Sequence, residues 1–510
     1  MNEELKTVEK PCNEVRDKEN RDFHKFGAAT IIYAIFYLWC MYKNHSGITY
    51  VLFMIGTVFF IRFTLKQLNL SLKRGSIFYI VSMLLLAVST FCTDDSRIIV
   101  FNNIANILLI ICLLLDAFYD TKRWGLGKFV SSIVTVLILP IGEFLSPFEH
   151  LAWYLDKKRN GRNNKYLYIF LGIGITIPIF LVVFILLSSA DAVFRNITGN
   201  VIENINFRDI ENIVIIGFIM FLVSYCVLTF MSRRTIDEKV YDTRRYEPLI
   251  AIPVATVMTL LYLVFSAIQI IYLFVGGMEL PSGYTYAEYA REGFFQLLIV
   301  SVLNLIIVLI GLQFFKNSKI LKGILAVMSL CTIVMIASSA MRMIIYIQYY
   351  YLTFLRIMVL WSLVVLLLVF VGVISYIFNK SFPLFRYSMI VVTVLYISLA
   401  FLHPDYIIAK VNLAGTEDSN NTFFCGDEYD DFRMIATLNA DAAPAIAEWL
   451  ESKGYVYDAS YCNEGYIPNV PYICASYYIA YINNQVGNMG MRDFNMSRYW
   501  AKSSFRDFNE

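Results

Sequence analysis

Apolar residues in this chain come in long runs. They do not follow the period of 2 that marks a half-buried strand, or the 3.6 that marks a soluble amphipathic helix. A helix crossing a bilayer needs about 20 mostly apolar residues. Runs of that kind lie near 27–43, 48–65, 76–92, 98–118, 166–188, 211–231, 248–275, 293–315, 323–347, 354–378 and 387–402. Backbone polar groups in lipid must be satisfied from within, which one helix per run achieves. The pattern predicts an all-α integral membrane protein of about eleven transmembrane helices. Beyond residue 402 no run is long enough to span. There NADAAPAIAEWLESKG (439–454) reads as a helix capped by Asn439 or Asp441, with Pro444 in its first turn and Gly454 as its stop. Two more helices are predicted over 428–438 and 492–503.

Charge turns the list of runs into a topology. With the N-terminus inside, the inner segments hold 27 Lys and Arg and the outer loops 7, the bias of the positive-inside rule. The same rule settles residues 129–148, which are apolar enough to suggest a twelfth span. Lys122, Arg123 and Lys128 precede them, and Lys157, Lys158, Arg159 and Arg162 follow, so both flanks belong inside. Pro140 and Glu143 interrupt the stretch, and it reads as re-entrant or interfacial. The predicted organisation is a charged cytoplasmic segment 1–26, a transmembrane domain 27–402 and an extracytoplasmic C-terminal domain 403–510. The first 26 residues hold no apolar core of the kind a cleavable signal needs, so the first span is the expected targeting signal.

Composition agrees and narrows the function classes. Apolar residues make up 58% of the 510 and charged ones 16%, where a soluble domain carries about 25% charged. The net charge of +2 conceals a tail that carries 7 basic against 15 acidic residues, an acidic, small and mostly helical domain. Of nine cysteines, Cys40, Cys92, Cys112, Cys226 and Cys331 lie in apolar runs as packing residues. Cys425, Cys462 and Cys474 lie in the tail, where an oxidising exterior allows one pair, of unassigned partners. No Walker A run, G-x-S-x-G, H-E-x-x-H or zinc spacing occurs, and the four histidines are scattered. No cofactor, metal or nucleic acid is implied. The bilayer is the expected partner, with other envelope membrane proteins as further ones.

Ionisable residues at span ends are functional candidates. The topology collects several at the outer boundary: Asp191 and Arg195 after the fifth span, Glu288 and Arg291 before the eighth, Arg342 in the ninth, Arg356 at the start of the tenth, and Asp405 after the last. Thr285 and Glu288 match a capping box, so Glu288 has a structural reading of its own. The group has two readings. It is an ion-pair cluster tying spans five, eight, nine and ten together, or a polar site opening outward. Within the spans, Gln296, Ser301 and Asn304 fall in an arc of about 140° on the eighth, and Gln269 lies deep in the seventh. Interhelical hydrogen bonding accounts for these four more simply than a substrate path does.

Seven separated stretches carry a resemblance. LSSADAVFR (187–195), FSAIQIIYLFVGG (265–277), YTYAEYAREGFFQLL (284–298), SSAMRMIIYIQYYYLTFLR (338–356), HPDYIIAKVNLAG (403–415), LNADAAPAIAEWL (438–450) and MRDFNMSRYWA (491–501) occur in this order in a bacterial membrane-protein family. The sequence resembles the domain of unknown function numbered forty-one seventy-three and forty-one fifty-three, from about residue 166 to 502. His403 stands where the family pattern begins with Asn, and the segment 455–490 does not resemble it. The resemblance implies a bacterial cell-membrane protein and supplies no catalytic residue. The expected role is non-enzymatic, transporter-like or a sensor and partner of envelope proteins with its polar site at the outer face. The alternative is an enzyme on a lipid-linked envelope substrate, with Glu288 or Asp191 as base and Arg342 or Arg356 holding phosphate.

Overall fold

A computed structural model describes residues 22–158, 207–239, 244–271, 293–415, 437–454, 477–484 and 489–506, with single positions between 172 and 191. Ten of the eleven predicted spans lie in described segments, and all ten are helices: α1 (Phe23–Met41), α2 (Ile48–Gln67), α3 (Ser76–Cys92), α4 (Ser96–Phe118), then, after α5 (Leu126–Ile138) and α6 (Ser146–Lys158), α7 (Phe207–Arg233), α8 (Pro248–Gln269), α9 (Phe294–Phe314), α10 (Lys319–Tyr349), α11 (Phe354–Phe378) and α12 (Leu384–Ala400). Most of the predicted span 166–188 and of the tail helix 428–438 lies outside the described residues, as do Cys425, Cys462 and Cys474. Among the described residues nine helices are long and apolar enough to cross a membrane, or ten if one bent pair counts as a single span.

The ambiguous stretch folds as the helix α5 followed by a 3-10 turn, Leu139–Glu143. The α-helix stops before Pro140, which offers no N–H and disfavours helical backbone at the residue before it. Together the two pieces are 18 residues, long enough to count among the nine.

The chain divides into two compact units. The first holds residues 1–88, 103–123 and 130–239. In it α1 and α2 pack through Tyr33, whose hydroxyl lies 2.9 Å from Thr57 Oγ1 and whose ring stacks on Phe60. Gly217 lets α7 approach α1 closely: a Cβ there would stand 2.7 Å from Leu38 Cδ1. At the ends of these helices Lys73 Nζ donates to Tyr119 O at 2.6 Å, and Asp116 accepts from Ser76 and Thr121 at 2.9 Å each.

The second unit holds residues 89–102, 124–129 and 240–510. Its apolar core runs through α8, α9, α10 and α11, with Leu325, Met328 and Met335 of α10 at its centre. The 31-residue α10 is the element the others pack on, and buried polar side chains tie it to its neighbours. Asn304 Nδ2 donates to Thr332 Oγ1 at 3.0 Å, and Ser338 Oγ to Gln269 Oε1 at 2.6 Å. After α12 the chain bends by 58° into α13 (Pro404–Gly415). His403 takes the corner with φ +48°, a left-handed conformation uncommon outside glycine. Asn412 fixes α13 in place, pairing with both the N–H and the C=O of Leu352 at 2.8 and 3.0 Å.

The tail helices match their predicted signals closely. A 3-10 turn (Ala440–Ala442) leads into α14 (Ala443–Ser452). Asn439 caps it by accepting from the Asp441 N–H, and Gly454 ends it at φ +64°. The other helix, α15 (Met496–Ser504), starts four residues later than predicted. The Asn495 side chain accepts from the N–H groups of Ser497 and Arg498 and sets the start there.

Candidate functional site

Between α3 and α4 the chain reads Cys92-Thr93-Asp94-Asp95-Ser96-Arg97. Asp95 opens α4: its carboxylate accepts from the Arg97 N–H at 2.8 Å and takes the Arg97 side chain in a fork at 2.8 and 2.7 Å, the bidentate geometry a guanidinium suits best. The same guanidinium reaches Asp405 Oδ1 at 2.6 Å and covers the Phe354 ring at 3.9 Å. Asp405 Oδ2 accepts from the Asn439 N–H at 3.2 Å. One cation thus joins two buried carboxylates, one opening α4 and the other in the first turn of α13, and the second of these holds the turn that begins α14.

Asp441 is the centre of this polar knot. It is buried, and four groups converge on its carboxylate. Thr93 Oγ1 and Ser497 Oγ donate to it, the Asp94 N–H reaches it at 2.9 Å, and His403 Nδ1 lies 3.3 Å away. Burial alone would raise its pKa. The contacts with His403, Ser497 and Thr93 outweigh that and hold it below the ordinary carboxylate value. The neighbouring Asp94 moves the other way: burial raises it despite the Arg498 guanidinium 2.7 Å from its Oδ1. Asn495 Nδ2 donates to Thr93 O at 2.9 Å, and Tyr478, its phenol pushed well above its usual range by burial, donates to Asn439 O at 2.6 Å.

Beside the knot lies a cavity of about 340 Å³. Leu402, His403 and Tyr406 line it from the α12–α13 corner, Asp441 and Pro444 from the head of α14, and Trp500 with Ser497 from α15. Its volume is at the lower end of what small-molecule pockets offer, and its lining follows their usual pattern, apolar and aromatic with a few polar groups. Among the described residues no group of three His, Cys, Asp or Glu side chains is arranged to hold a metal ion.

Of the seven outer-face residues singled out in the sequence, Arg195, Glu288 and Arg291 lie outside the described residues. Asp191 is exposed and belongs to the first compact unit. The three in the second unit have different partners: Arg342 reaches Gln269 at 3.4 Å, Arg356 stacks 4.3 Å over Tyr346, and Asp405 is in the knot. Within the spans, Ser301 and Asn304 are buried, and so is Gln269. Gln296 is exposed and departs from the group it was placed with. Five residues separate it from Ser301, which is 140° round a helix, far enough to turn it off the packed face. Sequence reasoning missed the core of the site. Asp441 was legible only as a cap and Arg97 only as a loop charge, while Asp94, Asp95, His403, Ser497 and Arg498 gave no signal beyond their place beside span ends and in the shared motifs.

No curated protein and no solved structure is significantly similar to this chain. A domain of unknown function (DUF4153) matches residues 80–449. The match begins well before residue 166, where the sequence resemblance sets in, so α3 to α6 are part of the shared architecture. It includes the α3–α4 loop, the α12–α13 corner and Asp441, and ends before α15. A membrane protein with many apolar helices, this chain belongs to the DUF4153 family.

Proposed function

We propose that the protein binds a small ligand at its outer face and works as a sensor or partner of other envelope membrane proteins, with the C-terminal residues 403–510 as the responding part. The observation that carries this reading is the shared wall of the 340 Å³ cavity. An occupant touches the α12–α13 corner, α14 and α15 together, so its binding free energy is linked to how firmly the tail is docked. In the knot the carboxylate stands between the imidazole and the hydroxyl, with Asp441 bonded to both His403 and Ser497. A base that activates a nucleophile needs the imidazole in the middle, so the geometry favours a binding site over a hydrolytic one.

The proposal includes the topology: about eleven spans, N-terminus cytoplasmic, C-terminus extracytoplasmic, and residues 129–148 re-entrant or interfacial on the inner side. The 27 to 7 distribution of Lys and Arg supports it, and so does the break of the α5 stretch at Pro140. The test has two arms. Trp500→Cys, at the cavity rim, in a chain whose Cys425, Cys462 and Cys474 are replaced by Ser, should be labelled in intact cells by a membrane-impermeant maleimide, and labelling only after permeabilisation would reverse the orientation. Purified protein in mild detergent should show a solute-dependent rise in melting temperature, abolished by His403→Ala, across amino acids, sugars and polyamines. A monomer that co-purifies with nothing and responds to none of them would sink both the sensor and the partner forms.

A further inference from the structure

At the far end of α11 from the knot, four cations from four separate segments line one cleft: Arg244 before α8, Lys316 between α9 and α10, Lys322 in the first turn of α10, and Lys380 after α11. No carboxylate is among its described lining residues, and of the four cations Lys316 is paired with Glu247 beside the cleft. Its wall is a built feature. Residues 244–247 are pinned along the end of α9 by an isolated parallel bridge, Tyr246 with Phe315, by Tyr246 N–H to Phe314 O at 3.2 Å and by Lys316 N–H to Tyr246 O at 2.9 Å. Arg244 Nε also donates to Leu312 O at 3.4 Å. Ser318 caps α10, so the positive end of a 31-residue helix dipole adds to the same cleft.

The enclosed volume is only about 20 Å³, room for one water, so an anion sits across the mouth and not inside. The chain segments that supply the cations also expose large apolar side chains: Leu249 at the start of α8 is 75% exposed, Phe378 at the end of α11 73% and Ile320 at the start of α10 66%. We propose that this cleft binds the phosphodiester headgroup of an anionic phospholipid, with the acyl chains lying on Leu249, Ile320 and Phe378. The cations match the phosphate, and basic pockets between membrane helices are suited to such headgroups. These apolar side chains select a lipid over free phosphate, which would gain nothing from them.

The test uses the full chain in a neutral maltoside detergent, with lipid binding counted by native mass spectrometry against dioleoyl phosphatidylglycerol and dioleoyl phosphatidylcholine. Removing both charges in Lys322→Gln/Lys380→Gln should weaken phosphatidylglycerol binding by about fivefold per cation, near 25-fold in all, with phosphatidylcholine unchanged. A control that removes two exposed cations elsewhere, Lys66→Gln/Lys239→Gln, should stay within about twofold. Equal loss in the control, or no loss in the cleft variant, overturns the site in favour of diffuse attraction. Competition by glycerol 1-phosphate at the concentrations where the lipid binds overturns the lipid assignment. If the Gln variant does not fold, Lys322→Arg/Lys380→Arg decides: it keeps the charge and should bind phosphatidylglycerol within about twofold of the parent, and loss of binding there refutes the proposal.

Discussion

The two ends of α11 hold charges in opposite conditions. At its Phe354 end, four largely buried carboxylates are bonded to two partly exposed guanidiniums, an imidazole, hydroxyls and backbone N–H groups. At its Phe378 end, about 37 Å away at 1.5 Å per residue, four cations line an open cleft. A buried charge without its partner is costly, whereas exposed pairs contribute little. The knot therefore holds the tail in place beside its cavity, while the cleft charges add little to stability, although a sequence shows both as charges beside apolar runs.

Substitutions can break this contrast or sharpen it. The largest effect is expected for Asp441→Ala, which strips the acceptor from Thr93, Ser497, the Asp94 N–H and His403 at once. It should cost about 3–5 kcal/mol in reversible unfolding by a denaturing detergent, and a loss below about 1 kcal/mol would mean the knot is not holding the tail. Arg97→Lys keeps the charge but cannot hold Asp95 by a fork and reach Asp405 as well, so about 2 kcal/mol is expected in the same assay.

The acid side of the stability curve separates two carboxylates. Asp441, held below its ordinary value in the fold, adds stability above that ordinary value and loses the contribution as pH falls through the acid range. Asp94, raised in the fold, takes up its proton sooner when folded and so gains stability on acidification. Asp441→Asn should flatten the fall in melting temperature between pH 6 and 3, and Asp94→Asn should steepen it. The smallest effect belongs to the cleft. Lys316 and Glu247 form an exposed pair, and Lys316→Ala should change unfolding by about 0.5 kcal/mol at most. A larger change would make the cleft structural and end the contrast.

The helices were legible because length and apolarity alone decide them. The caps were legible because Asn439 and Gly454 act on residues beside them. The knot was not, because hydrogen bonds from Thr93 to Asp441 and from Arg498 to Asp94 link residues 348 and 404 apart in the chain, and no local period encodes such a pairing. Gln296 shows a second limit. Helical spacing groups residues on a cylinder, but which side of the cylinder is covered depends on neighbours such as α10, and the sequence of α9 does not contain them. Arg342 and Arg356 illustrate a third. Both sit near span ends as predicted, yet one meets an amide and the other an aromatic ring, since a guanidinium attracts either.

The bond from Asn495 to Thr93 O crosses 402 residues, and that separation is also an interval of time. At about 5–20 residues per second, the α3–α4 loop is made some 20–80 s before the side chains that complete its hydrogen bonds. Through that interval Thr93 O, which Asn495 will bond, has only water or a temporary partner. A ribosome-bound intermediate cut off before residue 495 should therefore be the species that membrane chaperones and proteases recognise, and the arrival of α15 the event that releases it.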